Sequence, residues 1–209
     1  MEATQLLLTR HAETSAPDRF HGAESDIGLS TWGHRQAAIL GQSLASRCAS
    51  ALYSSAMKRA VDTAAAIGLA CGLEPAAIGG LHERKIGALS GLSREDGWAT
   101  YAATKERWIA GDLTHTHDGG ESFLDIERRV VPIVNELVAR HRGETLIVVA
   151  HGVVIRVLIT ALACGFEPSD FDRIAIDFAS VNNLIFDGST WTRGALNQVV
   201  AASPARPVA

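Results

Sequence analysis

Aliphatic residues recur along this chain in two alternating rhythms. Short unbroken runs occupy residues 5–9, 51–54 and 144–150, the last containing Leu146-Ile147-Val148-Val149, and runs this brief and apolar predict strands buried on both faces. Between them the apolar positions fall at helical spacing. Ala37, Leu40, Leu44 and Ala45 make a stripe within a helix over residues 30–47 that Ser30 can cap. Ala60, Ala64 and Ile67 make a second stripe behind Ser55, which reads as a helix cap, and Gly72 stops that helix. Further helices are predicted around residues 98–110, over 122–141 with Ile126, Val130, Ile133, Val134 and Leu137 in phase, and over 153–163. Residues 76–78 predict a weaker strand, and 173–178, 182–186 and 195–200 predict strands late in the chain. Residues 81–97 and 111–120 read as polar, glycine-containing loops, and the tail over 201–209, with Pro204 and Pro207, reads as unordered.

Strands that alternate with helices imply an α/β fold, a three-layer sandwich whose mostly parallel central sheet is flanked by helices. No repeat or linker interrupts residues 1–200, so one domain is expected, with a helical elaboration at about residues 92–142. In such sheets ligands gather beyond the carboxyl ends of the strands.

Composition narrows the partners. Hydrophobic residues make up 47% and charged residues 20% of the 209, which fits a folded chain and excludes disorder as the main state. The formal net charge of −4 provides no global positive field for nucleic acid or an anionic membrane, so an anionic ligand must be met by locally placed cations. The run at residues 6–8 meets Arg10 and His11 at once, and the apolar stretch over 146–164 is broken by His151 and Arg156, so neither a secretory signal nor a membrane span is expected. Cys48, Cys71 and Cys164 are odd in number and far apart, which points to reduced side chains and a cytoplasmic location rather than to zinc or disulfides.

The strand ends carry the chemistry. Arg10-His11 follows the first strand, His151-Gly152 follows the strand at 144–150, and Arg59 lies one turn into the helix behind Ser55, whose free amides would face the same crevice. Taken singly, each is an ordinary loop or surface residue. Convergence of two histidines, two arginines and a helix terminus on one edge makes an anion site.

In order along the chain stand Arg10-His11-Ala12-Glu13-Thr14, Phe20-His21-Gly22 and Leu29-Ser30-Thr31-Trp32-Gly33. Then follow residues 54–64 with Arg59, Leu81-His82-Glu83-Arg84 leading to Gly87 and Gly91, Gly119-Gly120-Glu121-Ser122, and Val149-Ala150-His151-Gly152 leading to Arg156. This ordered set, spread over residues 6–158, resembles the histidine phosphatase superfamily, the phosphoglycerate mutase-like fold, in its small phosphatase branch. The resemblance implies that His11 accepts the phosphoryl group, that Arg10, Arg59 and His151 grip its oxygens, and that Glu83 is the acid and base. It also implies substrate contacts from Thr14, His21 and Gly152, with no cofactor and no metal. The chemistry is consistent: phosphoryl transfer needs in-line attack and stabilised charge on the equatorial oxygens, which guanidinium and imidazolium groups can supply.

Three departures from the family pattern stand out. Ala12 replaces the usual glycine, Pro17 stands where many members carry a phosphate-binding asparagine, so that one phosphate contact is either missing or supplied by His21, and Leu89-Ser90 replaces a tryptophan-glutamate pair. Residues 101–118 offer only Lys105 and Arg107 as cations, unlike the long basic insertion of the mutases, which favours water as acceptor and hence a metal-independent phosphomonoester phosphatase. A phosphoglycerate mutase and a non-catalytic phosphate-binding protein are the alternatives, and a metal site at His115, His117, Asp118 and Glu121 is a weaker one. A small phosphorylated metabolite is the expected partner, self-association is open, and Trp98, Tyr101, Trp108 and Phe123 serve either as pocket roof or as core.

Overall fold

The computed structural model describes residues 2–200, so the expectation for 201–209 lies outside the described residues. Seven strands form one sheet: β1 (Thr4–Arg10), β2 (Ala51–Ser55), β3 (Ala76–Ile78), β4 (Thr145–Ala150), β5 (Ser180–Phe186), β6 (Trp191–Arg193) and β7 (Gln198–Val199). Their order is β3-β2-β4-β1-β5-β6, with β7 also on β5. The β3-β2-β4-β1 portion is parallel, whereas β5 runs antiparallel to β1, β6 and β7.

The helices are α1 (Thr31–Ala45), α2 (Lys58–Cys71), α3 (Arg94–Ile109), α4 (Phe123–Arg140) and α5 (Gly152–Leu162). Alternation along the central strands sends side chains both ways, as a two-sided sheet requires. Leu6, Leu8, Leu146 and Val148 pack with α4 and α5, while Leu7, Ile147 and Val149 pack with α1 and α2. The sandwich inferred from the hydrophobic rhythm is therefore present, with an antiparallel edge. No helix of the described residues is long and apolar enough to cross a membrane.

Most helix signals act as read. Ser30 Oγ accepts the Gly33 amide at the start of α1, Ser122 and Asp125 form a reciprocal capping box on α4, and Gly72 closes α2 with φ +70°. Differences have local causes. Ala45 is exposed, and Gly41 takes its place in the buried stripe because α1 and α2 approach too closely for a side chain there. Helix α3 begins a turn earlier than expected, on Ser93, whose hydroxyl accepts the Asp96 amide. Ser55 ends β2 instead of capping α2. The Lys58 amide, expected to face the crevice, donates instead to Asp26 Oδ1 at 2.6 Å.

Residues 173–178 are not a strand. Ile174 and Ile176 are buried, as their alternation suggests, but their carbonyls accept from Arg156 Nε at 2.8 Å and Arg10 Nη1 at 2.7 Å rather than from a neighbouring strand. A segment expected to extend the sheet thus becomes a loop that fixes two arginines.

Candidate active site

Strand register brings the two histidines together. Strands β1 and β4 are parallel neighbours with Arg10 opposite Ala150, and the His11 amide continues the ladder by donating to Ala150 O at 3.0 Å. The next residues, His11 and His151, therefore stand side by side, with ring centroids 5.2 Å apart and planes tilted by 58°. His11 is 5% exposed and His151 is fully buried.

The hydrogen bonds assign the tautomer of His11. Its Nδ1 lies 2.8 Å from Ala12 O, and since a carbonyl only accepts, Nδ1 carries the proton and Nε2 keeps the lone pair. Burial, followed by the Arg59 and Arg10 charges, holds the His11 imidazole well below its ordinary pKa of 6.5, so it is neutral at neutral pH. His151 is pushed the same way, first by burial and then by Arg59, His11 and Arg10. Neither of its ring nitrogens has a hydrogen-bond partner in the protein, and neither does Arg10 Nε. Buried polar atoms without partners are uncommon and costly, and three of the six among the described residues belong to Arg10 and His151, the two side chains next to His11.

Two arginines complete the nest. Arg10 donates Nη1 to Ile176 O and stacks its guanidinium 3.9 Å above the Phe178 ring. Burial lowers its pKa to about 10, which leaves it cationic at neutral pH. Arg59, 1% exposed, donates Nη1 to Ser25 O at 2.8 Å and Nη2 to Gly22 O at 3.3 Å, so it also fixes the turn over residues 21–25. Thr14 and Gly152 line the same cleft, a cavity of about 250 Å³.

Glu83 lines the same cleft from the segment that joins β3 to α3, shorter than the expected loop because residues 94–97 belong to α3. Its carboxylate accepts the Arg84 amide at 2.8 Å and the Val153 amide, at the start of α5, at 3.3 Å. The backbone on both sides of Glu83 is held from α4 and the residues before it. Arg129 donates to Gly80 O and His82 O at 2.8 and 2.9 Å, while Glu121 accepts the Lys85 amide at 2.8 Å and pairs with Arg129 at 2.9 Å.

His21 is placed differently from expectation. It borders the cleft, but Nδ1 is bonded to Ser25 Oγ at 2.8 Å and Nε2 to Ala16 O at 2.9 Å, so its ring offers no spare N–H to replace an asparagine at Pro17. It shapes the wall instead. Ala12 is buried without a left-handed backbone, so its methyl group is accommodated. His117 donates Nε2–H to Ile86 O and turns Nδ1 toward Arg84 and Thr104, which commits both nitrogens away from any metal shared with His115. The aromatic set divides: Trp98 and Tyr101 line the cleft, while Trp108 and Phe123 are fully buried against Phe171. Sequence reasoning did not single out Phe178, Arg19 or Arg94, all of which line the cleft. The alternation at residues 173–178 was the signal for Phe178, read as a strand.

The chain resembles proteins that handle phosphate esters. It is 33% identical over 178 residues to phosphoserine phosphatase 1 of Hydrogenobacter thermophilus, covering 84% of this chain and 83% of that one. It is 34% identical over 167 residues to a metal-independent phosphoserine phosphatase of Arabidopsis thaliana, covering 75% and 68% respectively. Among solved structures, a mycobacterial glucosyl-3-phosphoglycerate phosphatase superposes with a TM-score of 0.82 at 29% identity over 94% of this chain and 99% of that one. Residues 6–199 match the family as a whole, and the chain belongs to the histidine phosphatase superfamily, branch 1.

Proposed function

We propose that this chain is a metal-independent phosphatase of small phosphorylated metabolites that works through a phosphohistidine at His11. The observation that carries the reading is the free lone pair on Nε2 of His11, whose ring lies 5.2 Å from that of His151, where both ring nitrogens, like Arg10 Nε, are buried without partners. In the first step His11 Nε2 attacks phosphorus, the ester P–O bond breaks, and the leaving alkoxide takes a proton from the Glu83 carboxylic acid. In the second, water attacks phosphorus, Glu83 carboxylate takes its proton, and the P–N bond breaks to give inorganic phosphate and neutral His11. Arg10, Arg59 and a protonated His151 balance the charge on the equatorial oxygens, since the negative charge of a bound phosphoryl group favours the imidazolium and opposes the burial and cationic neighbours that keep His151 neutral in the free protein. Thr14 and Gly152 contribute to the wall around the ester.

The named activities of the relatives support hydrolysis over mutase chemistry or mere binding. In this reading residues 1–200 act as one catalytic domain; of the helical elaboration expected at about 92–142, α3 borders the cleft through Trp98, Tyr101 and Lys105, whereas α4 is a layer of the sandwich. A cytoplasmic location fits three unpaired cysteines, Cys48, Cys71 and Cys164. The test is hydrolysis of an aryl phosphate in the presence of a chelator: activity should persist there and vanish in His11→Ala, and loss with the chelator or survival in the variant would refute the proposal.

A further inference from the structure

Phe178 stands among the reacting groups without a part in the two steps above. It has no atom that donates or accepts a proton, yet its half-buried ring lines the cleft, with its centre 5.7 Å from that of His11 and 3.9 Å from the guanidinium carbon of Arg10. The two side chains it touches are the ones that meet phosphorus and its oxygens in the proposed reaction.

The backbone goes to some cost to put the ring there. Ala179, the next residue, is buried and holds a left-handed backbone with φ 56°, a region that disfavours any residue with a Cβ. Such strain persists only where the surroundings fix it. Here the Ala179 amide donates to His11 O at 3.3 Å, and the Ser180 amide donates back to Asp177 O at 3.2 Å. Asp177 is held from outside the cleft by Asn197, whose Oδ1 accepts the Asp177 amide at 2.7 Å and whose Nδ2 donates to the Asp177 carboxylate at 2.8 Å. Within four residues, 176–179, the chain therefore meets the His11 carbonyl, Arg10 Nη1 and the flat face of the Arg10 guanidinium.

A flat face is the useful one to hold. The donors of a guanidinium lie in its plane, so an aromatic ring laid over it fixes that plane and leaves the donors free. A carboxylate would fix Arg10 as firmly, but it would occupy those donors and cancel the charge that a phosphoryl group needs. Arg10 Nη1 is committed to Ile176 O, whereas Nε is buried without a partner.

We propose that Phe178 is the positioning residue for Arg10, its ring setting the guanidinium plane so that the uncommitted donors meet the phosphoryl oxygens beside His11. The inference rests on the phosphatase reading of the site and adds to it the residue that aims one of its arginines.

The test measures Kd for inorganic phosphate by calorimetry, which needs no turnover, with urea unfolding alongside to establish that each variant is folded. Phe178→Leu keeps the apolar bulk and removes the aromatic face; it should weaken phosphate binding about tenfold, the size of one desolvated cation–π contact. Phe178→Tyr keeps the face and should stay within about twofold of wild type. In an Arg10→Lys background there is no plane to set, so Phe178→Leu should change Kd by less than about twofold, whereas general damage to the site would weaken both backgrounds alike. A folded Phe178→Leu protein that binds phosphate like wild type, a Phe178→Tyr protein as weak as Phe178→Leu, or an equal loss in the Arg10→Lys background would overturn the proposal. If Phe178→Leu does not fold, Asn197→Gly keeps the left-handed backbone of residue 197 and frees Asp177 from outside the cleft. It should weaken phosphate binding with Arg10 present and not with Arg10→Lys, and an unchanged Kd would overturn the proposal. A wild-type protein that binds phosphate and hydrolyses no ester would end the phosphatase reading while the same Kd values still decide the role of Phe178; one that binds no phosphate would end both.

Discussion

The amide of Ala12 donates to Thr63 Oγ1 across 3.1 Å, and the same hydroxyl donates to Arg59 O at 2.7 Å. One buried side chain thereby ties the residue after His11 to the helix turn that carries Arg59. Thr63→Val keeps the shape, removes both bonds and leaves the Ala12 amide without a partner in the core. It should cost about 1–3 kcal/mol of stability and lower kcat more than it raises KM, whereas Thr63→Ser should be close to wild type. Urea unfolding together with steady-state kinetics measures both effects.

Two neutral buried histidines make stability depend on pH in a defined direction. In the unfolded chain they titrate near 6.5, but in the folded protein His11 and His151 lie well below that, chiefly because burial penalises the charged ring. As pH falls through about 6.5 the unfolded state gains protons that the folded state refuses, so unfolding becomes easier by up to about 1.4 kcal/mol per pH unit for each histidine. This contribution is complete above 6.5 and shrinks on acidification until the folded pKa values are reached. His21 and His117 are pushed the same way and add to the slope, and His151→Gln should remove the share of one histidine, up to about 1.4 kcal/mol per pH unit. Unfolding free energies measured across a pH series from about 5 to 8 test this, and an unchanged slope would contradict it.

Much of the site was legible because it lies where local signals are strong. Aliphatic runs that end at Arg10-His11 and His151-Gly152 mark two buried strands, and parallel pairing of such strands brings their ends together. What the sequence hid is non-local. Asp26 supplies the acceptor for the Lys58 amide from another loop, the Arg19–Ser93 bridge joins segments that no periodicity links, and β6 is only three residues long. Residues 173–178 misled because burial of Ile174 and Ile176 produces the alternation of a strand, while arginine side chains take the carbonyls a strand would share. His21 misled because a histidine in a binding loop reads the same whether its nitrogens face a ligand or the protein.

The ion pair between Glu121 and Arg129 positions Glu83 without touching the cleft's reacting atoms. Arg129 holds the carbonyls of Gly80 and His82, and Glu121 holds the Lys85 amide, so Glu83, the proposed acid and base, is clamped from both sides. Arg129→Met should therefore lower kcat on the order of tenfold to a hundredfold through misplacement of Glu83, with a smaller change in KM. A positioning role predicts that an aryl phosphate whose phenolate leaves without protonation suffers less than an alkyl phosphate. Equal losses on both would mean that the variant has damaged the site generally.

The most direct measurement is to stop the reaction within the first turnovers and locate the phosphoryl group by mass spectrometry of the digested protein. The account predicts one phosphoryl group on His11, stable in alkali, labile in acid, and formed in the presence of chelator. A phosphoryl group on any other residue, or steady release of inorganic phosphate by the His11→Ala protein, would contradict it.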